Sequence, residues 1–81
     1  MFAVEVIITL KSGVLDPQGQ AIETTLGHLG FEGARQVRVG KHITFELHAQ
    51  NADEAEKTAS AMCEKLLANT VIESYRVKVA Q

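Results

Sequence analysis

Three histidines, one cysteine and an aspartate set between glycines are the side chains of this sequence best suited to holding a metal, attacking a substrate or framing a phosphate site. Each fails on spacing. His42 and His48 share one face of an alternating run, but six residues of strand put about 20 Å between them. That is too far for two ligands of one ion, and neither a Cys-x-x-Cys nor a partner for His28 is present. The histidines read as surface residues. Cys63 falls on the apolar stripe of a predicted helix and reads as an inert core thiol. Ser12 precedes a glycine, yet the sequence has no G-x-S-x-G elbow and suggests no adjacent base. The carboxylates lie on helix surfaces and strand faces with no pair singled out for acid–base work.

A phosphate cradle is the remaining chemistry, because glycines and a helix start meet at Gly13–Gly19. A Walker loop continues into Lys and Ser/Thr. Here Gln20 and Ala21 follow, and Asp16 places its own negative charge where an anion would sit. The loop inside residues 10–23, LKSGVLDPQGQAIE, therefore needs another explanation for Val14 and Leu15. A hydrophobic staple would set Leu15 against Gln20, a poor match. The pair either folds back into a small core or forms an interface, and the glycines allow the tight turns that both outcomes need.

The elements that must position these residues follow from periodicity. Phe2, Val4, Val6, Ile8 and Leu10 alternate along one face of a first strand, 2–10. Asp16 as N-cap and Pro17 at the first helical position start a helix with Ile22, Leu26 and Leu29 as its stripe and Gly30 after its end. Runs 35–39 and 42–48 around Gly40-Lys41 read as a hairpin. Asn51 with Glu54 makes a capping-box start for a second helix, whose buried stripe is Ala52, Ala55, Ala59, Met62, Cys63 and Leu66, with Asn69 at its end. A last strand, 71–79, turns Tyr75, Val77 and Val79 toward the core. The order β-α-β-β-α-β predicts an α+β, ferredoxin-like domain: a four-stranded antiparallel sheet, strand order 4-1-3-2, with two helices on one face. The other face, carrying Glu5, Ile7, Thr44, Glu46 and Arg76 among others, is either solvated or meets another subunit.

At 81 residues the chain is one domain, 1–81, with a thin core, and domains of this size often gain stability by association. Net charge is −2 with both signs interspersed, and the aromatic residues are few, which argues against nucleic acid as a partner. The single cysteine excludes an internal disulfide and fits a reducing compartment. There is no basic-then-apolar leader and no apolar run near the roughly 20 residues of a membrane span, so the expectation is a cytoplasmic protein.

LKSGVLDPQGQAIE, LGF at 29–31, VRVGK at 37–41 and NTVIESY at 69–75 together resemble the PurS family over nearly the whole chain, in the family's order and spacing. GVLDPQG together with VRVGK is the specific part; Thr70 departs from the family's frequent proline at the entry to the last strand. The resemblance implies the small, non-catalytic subunit of phosphoribosylformylglycinamidine (FGAM) synthase in purine biosynthesis. It implies a homodimer or higher homo-oligomer that bridges a glutaminase subunit and a large synthetase subunit and supports ammonia transfer. It implies no cofactor of its own, ATP and Mg being used by the large subunit. Lys11, Gly13, Val14, Leu15, Asp16, Pro17, Gln18 and Gly19 match the first signature, and Arg38, Gly40 and Lys41 the second. These are the candidate partner-binding residues, with Lys11, Arg38 and Lys41 expected to be the exposed contacts, since unpaired charges are costly to bury. Two rival readings stay open: a ligand-sensing regulatory dimer, on fold analogy alone, and a stand-alone enzyme, for which no nucleophile–base pair can be named.

Overall fold

The computed structural model describes residues 1–80. β1 (Phe2–Leu10) is followed by α1 (Pro17–His28), β2 (Gly40–Leu47), α2 (Ala52–Met62) with a π-helical turn at Cys63–Leu67, and β3 (Glu73–Ala80). The sheet is antiparallel and three-stranded, in the order β2-β1-β3. β1 is central because its alternating face is wholly apolar: Val4, Val6 and Ile8 are the buried floor of the core. Phe45 and Val79 flank Val4, and Ile43 and Val77 flank Val6. Ala55, Ala59 and Cys63 press α2 onto β3 and β1, small side chains that let helix and sheet approach closely. The opposite sheet face carries a Glu5–His42 contact at 2.8 Å between neighbouring strands.

Three expectations are corrected. The ferredoxin-like sheet of four strands is a sheet of three: 35–39 is not a strand, although the remaining order agrees with the expected 4-1-3-2 less its outer member. Gln36 sits at φ 55°, which breaks the extended run. The amides of Val37 and Val39 that would have joined a ladder are taken by the Glu23 and Asp16 carboxylates. The expected hairpin turn is absent for the same reason: Gly40 and Lys41 stand inside β2, opposite Thr9 and Ile8. A Cβ on Gly40 would lie 2.6 Å from the Ile8 carbonyl oxygen, so the ladder there needs glycine.

The second correction concerns the helices. α2 covers the sheet, but α1 makes no extensive contact with any strand or with α2. The molecule measures 51 × 25 × 14 Å, elongated for its mass. The third is local. The Ala68 N–H bonds the Cys63 carbonyl at 3.0 Å, an i to i+5 step that inserts one extra residue into the turn. The stripe is thereby rotated: Leu66 is 82% exposed and Leu67 packs on the core in its place. Asn69 lies beyond this turn, where its side chain accepts from the Val71 N–H, so the helix ends without it as a cap.

Local helix signals behave as their chemistry predicts. The Asp16 carboxylate accepts the Gly19 N–H and Pro17 opens α1. Gly30 at φ 96° ends it, with the Phe31 N–H returning to the Leu26 carbonyl. Asn51 accepts from the Glu54 N–H at 2.8 Å, while the reciprocal Glu54 carboxylate reaches the Gln50 N–H rather than that of Asn51.

Candidate functional site

The two signature segments, 23 residues apart at Asp16 and Val39, meet at one carboxylate. Asp16 Oδ1 accepts the Gly19 N–H at 2.8 Å, and Oδ2 accepts the Val39 N–H at 2.7 Å. One oxygen therefore caps α1 and the other fastens residues 37–39 beside it. Asp16 is the one buried charged residue among those described, at 5% exposure. The Val39 amide first, and the Gly19 amide next, hold its carboxyl below the usual carboxylate range; the nearby Arg38 charge acts in the same direction.

The same two segments touch at three further points. Gly19 is buried, and a Cβ there would collide with the Val37 carbonyl oxygen, so the first turn of α1 lies directly against the 37–39 backbone. Glu23, one turn further along, accepts the Val37 N–H at 3.1 Å. The Arg38 guanidinium donates to the Lys11 carbonyl at 3.0 Å. Lys11 is itself pinned to the turn just before β3, its N–H donating to the Ile72 carbonyl at 2.8 Å, while its carbonyl also receives the Val14 N–H at 2.9 Å.

Around this clamp the candidate residues divide. Lys11, Gly13, Leu15, Pro17, Gln18, Arg38, Gly40 and Lys41 are exposed; Val14 is half-buried; Asp16 and Gly19 are buried. Leu15 is 66% exposed, so of the two readings left open for the Val14–Leu15 pair, Leu15 is no core residue. Arg38 is brought together with Lys11 and Leu15, bonding the carbonyl of the first and lining a groove with the second. Lys41 is not: its ammonium lies 3.6 Å from the Glu73 carboxylate and 3.5 Å from the Leu67 carbonyl, across the β2–β3 side. Gly13 has open space where a side chain would stand, in contrast to Gly19.

The clamp frames an open groove of about 570 Å³ lined by Ser12, Leu15, Asp16, Gln20, Glu23 and residues 36–38. Sequence patterning missed Glu23 and Gln36. Glu23 is one of several carboxylates on a helix face, and nothing in its spacing shows an amide fourteen residues away. No group of three or more metal-ligating side chains is found among the described residues. The remaining perturbed groups lie elsewhere: burial, then the Glu64 charge, pushes the Cys63 thiol up, and the Tyr75 hydroxyl donates to Glu64 Oε2 at 2.7 Å, which raises its pKa.

The fold and the clamp define a class: a small α+β domain whose first helix and following segment are locked to the loop after β1. The sequence profile described as "PurS: Phosphoribosylformylglycinamidine (FGAM) synthase" matches residues 3–81. The phosphoribosylformylglycinamidine synthase subunit PurS of Synechocystis sp. is 46% identical over 70 residues, 86% of this chain and 70% of that protein. The subunit of the same name from Bacillus subtilis is 41% identical over 81 residues, 100% of this chain and 95% of its own. The crystal structure of PurS from Methanocaldococcus jannaschii superimposes with a TM-score of 0.92 at 40% identity, covering 100% of this chain and 98% of that one. A chain of the PurLQS structure from Thermotoga maritima does so with a TM-score of 0.88 at 32% identity, covering 99% of each. The chain belongs to the PurS family of FGAM synthase subunits.

Proposed function

We propose that this chain is the assembly subunit of an FGAM synthase in purine biosynthesis, acting as a homodimer that bridges a glutaminase subunit and an ATP-dependent synthetase subunit. In this role it supports passage of ammonia from the glutaminase to the synthetase, where formylglycinamide ribonucleotide becomes the amidine. It contributes no catalytic group and binds no cofactor of its own; ATP and Mg belong to the synthetase subunit, and the complex works in the cytoplasm. The observation that carries the reading is the full-length likeness to PurS chains, one of them solved within a PurLQS structure. The exposed Leu15, Lys11 and Arg38 beside the rigid Asp16 clamp fit a docking surface: the backbone is fixed while the side chains face outward. No described helix is long and apolar enough to cross a membrane, in keeping with this setting.

The test is reconstitution with the two partner subunits. Omitting this chain should abolish glutamine-dependent amidine formation and leave ammonia-dependent formation by the synthetase subunit intact. Full glutamine-dependent turnover and a complete complex without it would overturn the proposal.

A further inference from the structure

Leu15 is an exposed apolar side chain on a backbone fixed from both sides. Before it, Lys11–Val14 is a β-turn closed by the Val14 N–H on the Lys11 carbonyl at 2.9 Å, and the Lys11 N–H is tied to the Ile72 carbonyl. After it, Asp16 is buried with both carboxylate oxygens bonded to amides. Leu15 itself stands 66% exposed between these anchors. An irregular loop ordinarily samples many conformations, and association must then supply the free energy to order it. Here the ordering is done within the free chain.

One side chain braces this turn from outside it. Arg38 donates to the Lys11 carbonyl at 3.0 Å, the same oxygen that closes the turn, so both of its lone pairs are used. Arg38 reaches it from a segment that is itself immobilised. The amides on either side, those of Val37 and Val39, are held by Glu23 and Asp16, and the Val37 carbonyl lies against Gly19. Val37 and Val39 are half-buried while Arg38 between them is exposed, the alternation of extended chain. Arg38 forms no ion pair among the described residues; its hydrogen bonding is spent on this one carbonyl. A guanidinium used in this way ties two fixed segments together across the base of the loop that carries Leu15.

We propose that Arg38 is a positioning residue for assembly of the synthase: it braces the Lys11–Val14 turn so that Leu15 is presented to the partner subunits already ordered. The inference rests on the assembly reading above and gives the exposed residues of that surface different parts. Leu15 meets the partner, and Arg38 acts through Leu15.

The test is a double-mutant cycle in the full chain between Leu15→Ser and Arg38→Met, the second of which keeps the aliphatic stem and removes the donors. Each chain is titrated calorimetrically into an equimolar mixture of the glutaminase and synthetase subunits. Exchange of the Val14 amide is followed by NMR in the chain alone. Arg38→Met should weaken association about tenfold, the cost of ordering the turn at each encounter. The double variant should bind within about twofold of Leu15→Ser, because a brace is worth nothing once the residue it presents is gone. The Val14 amide should exchange faster in Arg38→Met than in wild type. Losses that multiply to about a hundredfold in the double variant make Arg38 an independent contact and overturn the proposal. Wild-type affinity in Arg38→Met, or unchanged Val14 exchange, overturns it too. If Arg38→Met is weakened and Leu15→Ser is not, the route through Leu15 is wrong while the assembly reading stands. If the wild-type chain binds neither subunit, both fall. Arg38→Ala serves if circular dichroism shows that Arg38→Met does not fold; loss of the fold in both overturns the proposal, since a brace on one exposed turn leaves the core intact.

Discussion

Two glycines of α1 have opposite surroundings, and alanine at each should have opposite effects. Gly27 meets nothing within 4 Å where a Cβ would stand. Alanine there removes the entropic penalty of glycine in a helix, a gain of up to about 1 kcal/mol. At Gly19 the same intrinsic gain is offered, but the new Cβ collides with the Val37 carbonyl oxygen and lies 3.0 Å from its carbonyl carbon and 3.1 Å from Asp16 Cγ. These are backbone atoms and a buried carboxylate, which cannot swing aside as a surface side chain would. Relief requires moving the 37–39 segment, which strains packing by about 1–3 kcal/mol and weakens the amide bonds to Glu23 and Asp16, worth about 1 kcal/mol or more together. Against a gain of about 1 kcal/mol, Gly19→Ala comes out destabilising by about 1–3 kcal/mol. In a domain of this size each kcal/mol moves Tm by about 4–8 °C. Thermal unfolding by circular dichroism should therefore place Gly27→Ala above wild type and Gly19→Ala at least about 4 °C below it. Protein concentration must be matched, because the proposed self-association would make Tm depend on it. A Gly19→Ala chain as stable as wild type, or two variants shifted in the same direction, would refute the packing of α1 against residues 37–39.

The remaining predictions concern Asp16, Leu15 and Cys63. Because the Val39 and Gly19 amides lower the Asp16 pKa on folding, its stabilisation is complete above the ordinary carboxylate range and is lost as pH falls through the lowered folded value. Asp16→Asn, which keeps one acceptor and turns an NH₂ toward the other amide, should lower stability at neutral pH and flatten its fall on the acid side. Urea midpoints measured across a pH series check this, and parallel curves for the two chains would contradict it. Leu15→Ser should change unfolding stability by less than about 0.5 kcal/mol, since the side chain is 66% exposed. The same change should weaken association with the partner subunits about tenfold, read by calorimetric titration; an unfolded variant would place Leu15 in the core instead. Cys63 is fully buried with its thiol pKa raised by burial and by Glu64, so a disulfide reagent at neutral pH should modify the folded chain only as fast as it opens. Immediate stoichiometric reaction would be inconsistent with the helix register.

What could be read in advance was chemistry within a few residues of its partner. β1 falls on Phe2–Leu10 as the alternation predicts, and Asp16, Pro17 and Asn51 start their helices because capping depends on amides two or three residues away. Cys63 is buried where its stripe placed it. The errors lie where distant groups compete for the same backbone. VRVGK has strand composition, but Asp16 and Glu23, far off in sequence, take the amides that a ladder would use. Leu66 is displaced by a single extra residue in the π-helical turn, a change of register that period-counting does not detect. Of the candidate site, the residues of both signatures were identifiable, but their grouping was not: Arg38 bonds the Lys11 carbonyl and lines a groove with Leu15, while Lys41 lies against Glu73.

The sequence by itself determined the local elements and, through its signature segments, the family to which the chain belongs, because caps, alternation and motifs are short-range records. The tertiary structure decided where those elements go. It spent the Asp16 carboxylate twice, once on its own helix and once on Val39, and so converted an expected edge strand into a strap along α1. It also left α1 away from the sheet, with its apolar stripe open. Neither outcome is written in any one segment, since both depend on which of several distant donors and apolar faces reaches a given partner first in space.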